Sequence, residues 1–133
     1  MTHFTNDLLE FIEHWLPVAP ALVLEIGCGD GSLTRRLISA GFDATGIDPD
    51  APNEEPFQRT TLEEFQTPDP FDAAVAVRSL HHVTDPGRAV ASLHSVIRPG
   101  GRLVLLEFVV EHLDEAARRW LRDHGLDGEL EYN

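Results

Sequence analysis

Lysine is absent from the 133 residues, and cysteine occurs once, at Cys28. A single thiol excludes any disulfide within the chain and fits a reducing compartment. No apolar run approaches the ~18 residues that a membrane span requires. The opening MTHFTNDLLEF lacks a basic stretch followed by a long apolar one, so no secretory signal is expected. The expectation is a cytoplasmic protein without a membrane partner. Positive charge is scarce as well: ten basic residues, all arginine, face 23 acidic ones, for a formal net charge of -13. Such a surface repels phosphate backbones, which argues against nucleic acid as a partner.

The remaining composition is that of a globular chain. Hydrophobic residues make up 42% of it, and the length suits one domain over 1–133 with a core of its own. FTNDLLEFIEHWL has a helical apolar spacing, with Thr5 or Asn6 as N-cap and Pro17 as its end. ALVLEI reads as a strand buried on both faces. SLTRRLISAG reads as a helix with Leu33, Leu37 and Ile38 inward and Gly41 as its stop. FDATGID is a second strand, FQRT a weak third and TLEEF a single helical turn. FDAAVAV is a fourth strand. DPGRAVASLHSVI is a helix with Asp85 as N-cap and Pro86 at its first position. PGG then reads as a turn, RLVLLEFVV as a fifth strand and LDEAARRWLRDHG as a last helix.

Strands alternating with helices predict an α/β fold, a doubly wound and mostly parallel sheet of about five strands. Ligands of such sheets lie beyond the carboxyl ends of the strands. Between Asp48 and Phe57 the chain is too short for a crossover helix, so an extended loop is expected there.

The stretch VLEIGCGDGSL places Gly27, Gly29 and Gly31 at alternate positions between the first strand and its helix. Glycine tolerates positive φ and lets a ligand approach the backbone. The helix start behind the loop offers free N–H groups and the positive end of its dipole. A tight strand–helix turn with no ligand explains the same glycines. Asp48 ends the second strand 21 residues after Gly27, where a carboxylate accepts both hydroxyls of a ribose. Taken alone, it is equally a turn residue before Pro49. Loop and carboxylate together favour a nucleoside. The glycine spacing departs from the G-x-G-x-x-G of dinucleotide sites, and Glu25 stands just before the loop. A carboxylate there is awkward beside a pyrophosphate and comfortable beside an ammonium or sulfonium. Both features argue against a nicotinamide oxidoreductase.

VLEIGCGDGSLTRRL, GIDPD and FDAAVAVRSLHHVTDPGRAVASLHSVIRPGGRLVLLEF, in that order, resemble the class I S-adenosylmethionine-dependent methyltransferases of the methyltransferase domain 11 or 12 type. The resemblance runs from about Val23 to Phe108. It implies a Rossmann-like fold and S-adenosylmethionine as cofactor. Gly27, Cys28 and Gly29 would line the methionine part with backbone, and Glu25 would orient its ammonium, directly or through water. Asp48 would hold the ribose, with Pro49 beside the adenine. Thr61 and Leu62 fall where the family contacts the adenine amino group and ring. Thr61 replaces the usual acid there, and Glu63 is the nearby substitute. The main-chain carbonyl of Arg78 would meet the methionine amine. SLHHV puts His81 and His82 near the opening, with His82 as the candidate general base for a small-molecule O, N or C nucleophile. Packing or helix capping is the alternative role for both histidines.

Family members usually carry an antiparallel hairpin after the fifth strand, and GELEYN is too short to form it. The expectation is a sheet without that hairpin, its fifth strand an edge that a second copy of the chain could cover. Two functions stay open: methyl transfer to a small molecule, or a non-catalytic module, or fragment of a larger methyltransferase, that binds S-adenosylmethionine or S-adenosylhomocysteine.

Overall fold

A computed structural model describes residues 6–77 and 85–106 of the chain. Its elements, in chain order, are α1 (Asn6–Trp15), β1 (Leu22–Ile26), α2 (Ser32–Ser39), β2 (Asp43–Ile47), β3 (Phe57–Gln58), β4 (Phe71–Val77), α3 (Pro86–Val96) and β5 (Ile97–Leu106). The strands form one sheet in the order β3-β2-β1-β4-β5, and every pairing is parallel. This is the Rossmann-like α/β sheet that the alternating pattern predicts. Strand order reverses between β1 and β4, so the crevice for a ligand lies beyond their carboxyl ends.

Both faces of the sheet are covered. On one, Val23 and Val75 pack with Ile12 and Leu16 of α1 and Leu33 and Leu37 of α2. On the other, Leu24, Ile26 and Ala74 pack with Ala89, Leu93 and Val96 of α3 and with Phe65 and Phe71. Burial on both sides explains why β1 and β4 are apolar runs rather than alternating ones.

The helix ends follow local chemistry. The Phe42 N–H donates to the Leu37 carbonyl and the Gly41 N–H to that of Ile38, with Gly41 at φ 100. That is a Schellman stop, which requires a residue at ease in the left-handed region. Asp85 caps α3 by accepting the Arg88 N–H at 3.1 Å, with Pro86 at the first turn. The 48–57 link is a loop with turns at Asp48–Ala51 and Glu54–Phe57, as its length predicts.

Three expectations need correction. Ile38 does not point inward; it is 42% exposed, and the buried face of α2 is Leu33, Thr34 and Leu37. FQRT shortens to the two residues of β3. PGG is not a turn ahead of β5 but a bulge inside it: Phe71 pairs with Ile97 and Ala73 with Arg102, so Arg98–Gly101 lie opposite Asp72 alone. The bulge needs Gly101, whose added Cβ would come within 2.8 Å of the Asp72 carbonyl oxygen.

Among the described residues β5 is the sheet's edge. The side proposed above for a second copy borders a groove of about 310 Å³ lined by Phe11, Trp15 and Arg102–Leu105. The remainder of the fifth strand past Leu106, the last helix and the region of the expected hairpin lie outside the described residues.

Candidate functional site

The loop between β1 and α2 leaves the sheet at its carboxyl rim. Gly27, Gly29 and Gly31 have φ of 73, 54 and 87°, so all three occupy the left-handed region that side chains resist. The main chain crosses onto the end of β2: the N–H groups of Gly27 and Cys28 both donate to the Ile47 carbonyl, at 2.8 and 3.0 Å. At Gly31 a Cβ would stand 2.5 Å from the Phe57 ring. At Gly29 a Cβ would meet nothing within 4 Å. One glycine is therefore demanded by the chain's own packing, and another faces open space.

Asp48 closes the site from the end of β2. Its Oδ2 accepts the Gly29 N–H at 3.1 Å and its Oδ1 the Asp50 N–H at 2.8 Å. Each oxygen keeps a further lone pair for a ligand hydroxyl. The sequence reading paired this acid with the loop, and the two are in direct contact. The Thr60 N–H donates to the Asp48 carbonyl at 3.3 Å, which brings the Thr61–Glu63 turn to the same rim. The Thr61 hydroxyl oxygen accepts the Glu64 N–H at 3.3 Å and so caps that turn. Leu62 is buried in the core, Glu63 is partly exposed, and Pro49 is exposed beside Asp48.

Glu25 is 2% exposed, and its Oε1 accepts the Thr34 hydroxyl at 2.6 Å. Burial pushes its carboxyl up to about 7; the Thr34 hydroxyl and N–H pull it back, while the Asp30 and Asp48 charges add to the rise. The Cys28 thiol packs with Ala51 and Phe57 and is pushed up to about 12, first by burial and then by the Glu25 charge. It is a packed, protonated side chain and not a reactive thiol. Asp30 accepts the Ser32 hydroxyl at 2.7 Å and the Ser32 N–H at 3.0 Å, which hold its carboxyl below the usual range.

Glu25, Gly27, Cys28, Gly29, Asp48 and Pro49 thus meet at one rim, with Thr61–Glu63 adjoining. Arg78 and His82 lie outside the described residues. Sequence reasoning missed three contributors. Thr34 partners Glu25. Gly46 leaves room for Thr34, since an added Cβ would stand 2.7 Å from its hydroxyl oxygen. Arg35 joins the loop to the β2–β3 link: it donates to the Asp30 carbonyl and to Glu54, both at 2.9 Å, with its guanidinium 5.0 Å from the Phe57 ring centre. The available signals were a hydroxyl in the first turn of α2 and a glycine inside a strand that needs no turn. Among the described residues no cluster of His, Cys, Asp and Glu suits a metal ion.

A glycine loop at the switch point, an acid at the next strand end and an uncompensated carboxylate beneath it form a cradle for a polar ligand with positive charge. Known proteins resemble the chain in sequence and in fold. A ubiquinone biosynthesis O-methyltransferase from Albidiferax ferrireducens is 34% identical over 102 residues, which cover 63% of this chain and 40% of that protein. Among solved structures, a protein described as a methyltransferase from an antibiotic biosynthesis pathway of Anabaena variabilis superposes with a TM-score of 0.70 at 18% identity, over 90% of this chain and 54% of that one. The Burkholderia thailandensis 1,6-didemethyltoxoflavin-N1-methyltransferase, solved with 1,6-didemethyltoxoflavin and S-adenosylhomocysteine bound, gives 0.63 at 23% identity, over 79% and 60%. The chain spans 40% of the Albidiferax relative's length and little more than half of these structural neighbours. The family model described as a methyltransferase domain matches residues 1–128, and the chain belongs to that family.

Proposed function

We propose that the chain binds S-adenosylmethionine in the crevice beside residues 27–31 and serves methyl transfer to an O, N or C nucleophile of a small molecule. One observation carries the reading. The Gly29 backbone, open on one side, is fastened to the carboxylate of Asp48, so a ribose-binding acid and a ligand-facing peptide form one unit. Family membership supports the cofactor, and so does the S-adenosylhomocysteine bound in the Burkholderia structure. The names of the relatives, an O-methyltransferase and an N-methyltransferase of small molecules, support the acceptor class.

The residues fit this ligand's chemistry. Asp48 offers lone pairs to two ribose hydroxyls, with Pro49 and the Thr61–Glu63 turn on the adenine side. Gly27, Cys28 and Gly29 present backbone to the methionine portion. Glu25 supplies negative charge beneath the loop for an ammonium or sulfonium, and the Arg78 carbonyl is assigned to the same amine. Bound S-adenosylmethionine supplies an electrophilic methyl. The protein's share is approach geometry and exclusion of water. His82 is assigned as the base that takes a proton from the acceptor.

Calorimetry with S-adenosylmethionine, S-adenosylhomocysteine and NAD tests the site: the first two bind and NAD does not. Labelled methyl donor over a panel of small phenols, amines and carbon acids tests the reaction. Binding of the two sulfur compounds with no labelled acceptor would replace the enzyme reading by that of a non-catalytic binding module.

A further inference from the structure

Glu25 poses a problem that cofactor binding does not settle. Its carboxylate is buried, and the acids Asp30 and Asp48 and the Cys28 thiol surround it with no cation among the described residues. Such a group should swing toward water or leave the core. Its place depends on α2. The helix begins after Gly31, which has no side chain to cap it, and its first turn carries no acid. Asp30 accepts the Ser32 N–H, and Glu25 reaches across from β1 to the third residue of the helix, Thr34. Glu25 takes the Thr34 N–H as well, so the strand supplies an acceptor for one of the free N–H groups of the helix's first turn.

Thr34 is 0% exposed, and its hydroxyl gives Glu25 a bond of 2.6 Å. Space for that hydroxyl is kept by Gly46, whose φ is not of the kind that demands glycine; a Cβ there would also stand 2.8 Å from Cys28 Cβ and 2.9 Å from the Phe57 ring. A strand glycine with an ordinary backbone is explained by close approach of its neighbours.

We infer that Thr34 is a positioning residue of the cofactor site, holding the Glu25 carboxylate in one rotamer beneath the glycine loop in space that Gly46 leaves open. This rests on the cofactor reading above and extends it to a residue that touches no ligand. With one oxygen anchored, the carboxyl group keeps its place before a ligand arrives, and affinity gains from the ordering already done.

Thr34→Ser and Thr34→Ala test it in the full chain. Both lose the methyl group, and they differ only in the hydroxyl, so packing cancels between them. The first measurement is the titration of the Glu25 carboxyl by carbon NMR in ligand-free protein. The midpoint rises in T34A relative to T34S, because the lost bond favoured the ionised form. The second is calorimetric affinity for S-adenosylmethionine and S-adenosylhomocysteine. T34S stays within about twofold of the unmodified chain, and T34A binds about tenfold more weakly than T34S, as expected for a hydrogen bond to a charged group. Equal midpoints in the two variants overturn the inference, as do equal affinities. If the unmodified chain binds neither compound while the midpoints differ, the cofactor reading fails and takes the positioning role with it, leaving only the hydrogen bond.

Discussion

The two rims of the sheet each carry an aspartate that accepts a main-chain N–H near β1, yet the two are finished differently. At the amino rim Asp72 accepts the Leu22 N–H at 2.9 Å, and its other oxygen meets the Arg98 guanidinium at 2.6 Å. At the carboxyl rim Asp48 accepts the N–H groups of Gly29 and Asp50 and, among the described residues, has no ion-pair partner. Glu25 beneath it has none either. Asp72, which fastens the chain's strands, thus has a counter-charge, and Asp48 and Glu25 have none among the described residues. In a protein with 23 acidic residues, acidity alone identifies nothing. The missing counter-charge at Asp48 is in keeping with the ligand role proposed for it.

This contrast can be broken at either rim. The largest effect is expected for Asp48→Ala. It removes acceptors for two hydroxyls, so calorimetric affinity for S-adenosylmethionine should fall by about a hundredfold or more, a loss of two charged hydrogen bonds. Unchanged affinity would show that Asp48 fastens the chain as Asp72 does. Next come the glycines. Gly31→Ala combines φ of +87° with a Cβ 2.5 Å from Phe57, whereas Gly100→Ala has φ of +80° and open space. Thermal unfolding should show the Gly100 variant losing about 1 kcal/mol from backbone strain, with the Gly31 variant losing more and binding ligand poorly.

Glu25 provides a pH signature of smaller size. Its carboxyl is raised from 4.5 to about 7 in the fold, so the native state holds a proton that the unfolded chain releases. Its contribution to stability is complete below about 4.5 and is lost as pH rises through about 7. Ligand-free protein should therefore lose stability across that window by roughly 3 kcal/mol at most, and Glu25→Gln should flatten the slope. Affinity for a cationic ligand should rise over the same window, which denaturant midpoints and calorimetry at matched pH would reveal. Asp72→Asn should have the smallest effect. The Leu22 N–H, more than Arg98, holds the Asp72 carboxyl below its usual range, so its contribution is present above the unfolded value and disappears as acid titrates the folded group. Because the pair is exposed, the melting temperature should drop slightly and cofactor affinity should not move.

Local sequence revealed what local physics decides. Gly41 after an apolar helical face announced a Schellman stop, and Asp85-Pro86 announced a helix start; both are present. The run around Val23 read as a doubly buried strand and the one around Val75 as a strand, because each is an apolar run bounded by turn residues, and both are strands of the sheet. What stayed hidden depends on contacts between distant residues. Ile38 continues the apolar stripe of α2 in the sequence yet is 42% exposed, while the polar Thr34 is buried with its hydroxyl on a carboxylate from β1. The bulge at Arg98–Gly101 follows from the match between β4 and β5, which no window along the chain contains. In the site, Asp48 and the glycines were legible from their spacing. The Thr34 and Gly46 contribution was not, since a helix threonine and a strand glycine are individually unremarkable.

Arg35 ties the glycine loop to the β2–β3 link, gripping the peptide at Asp30 and the carboxylate of Glu54 while lying across Phe57. That clasp is half open to water, so added salt should loosen it before it disturbs the packed sheet.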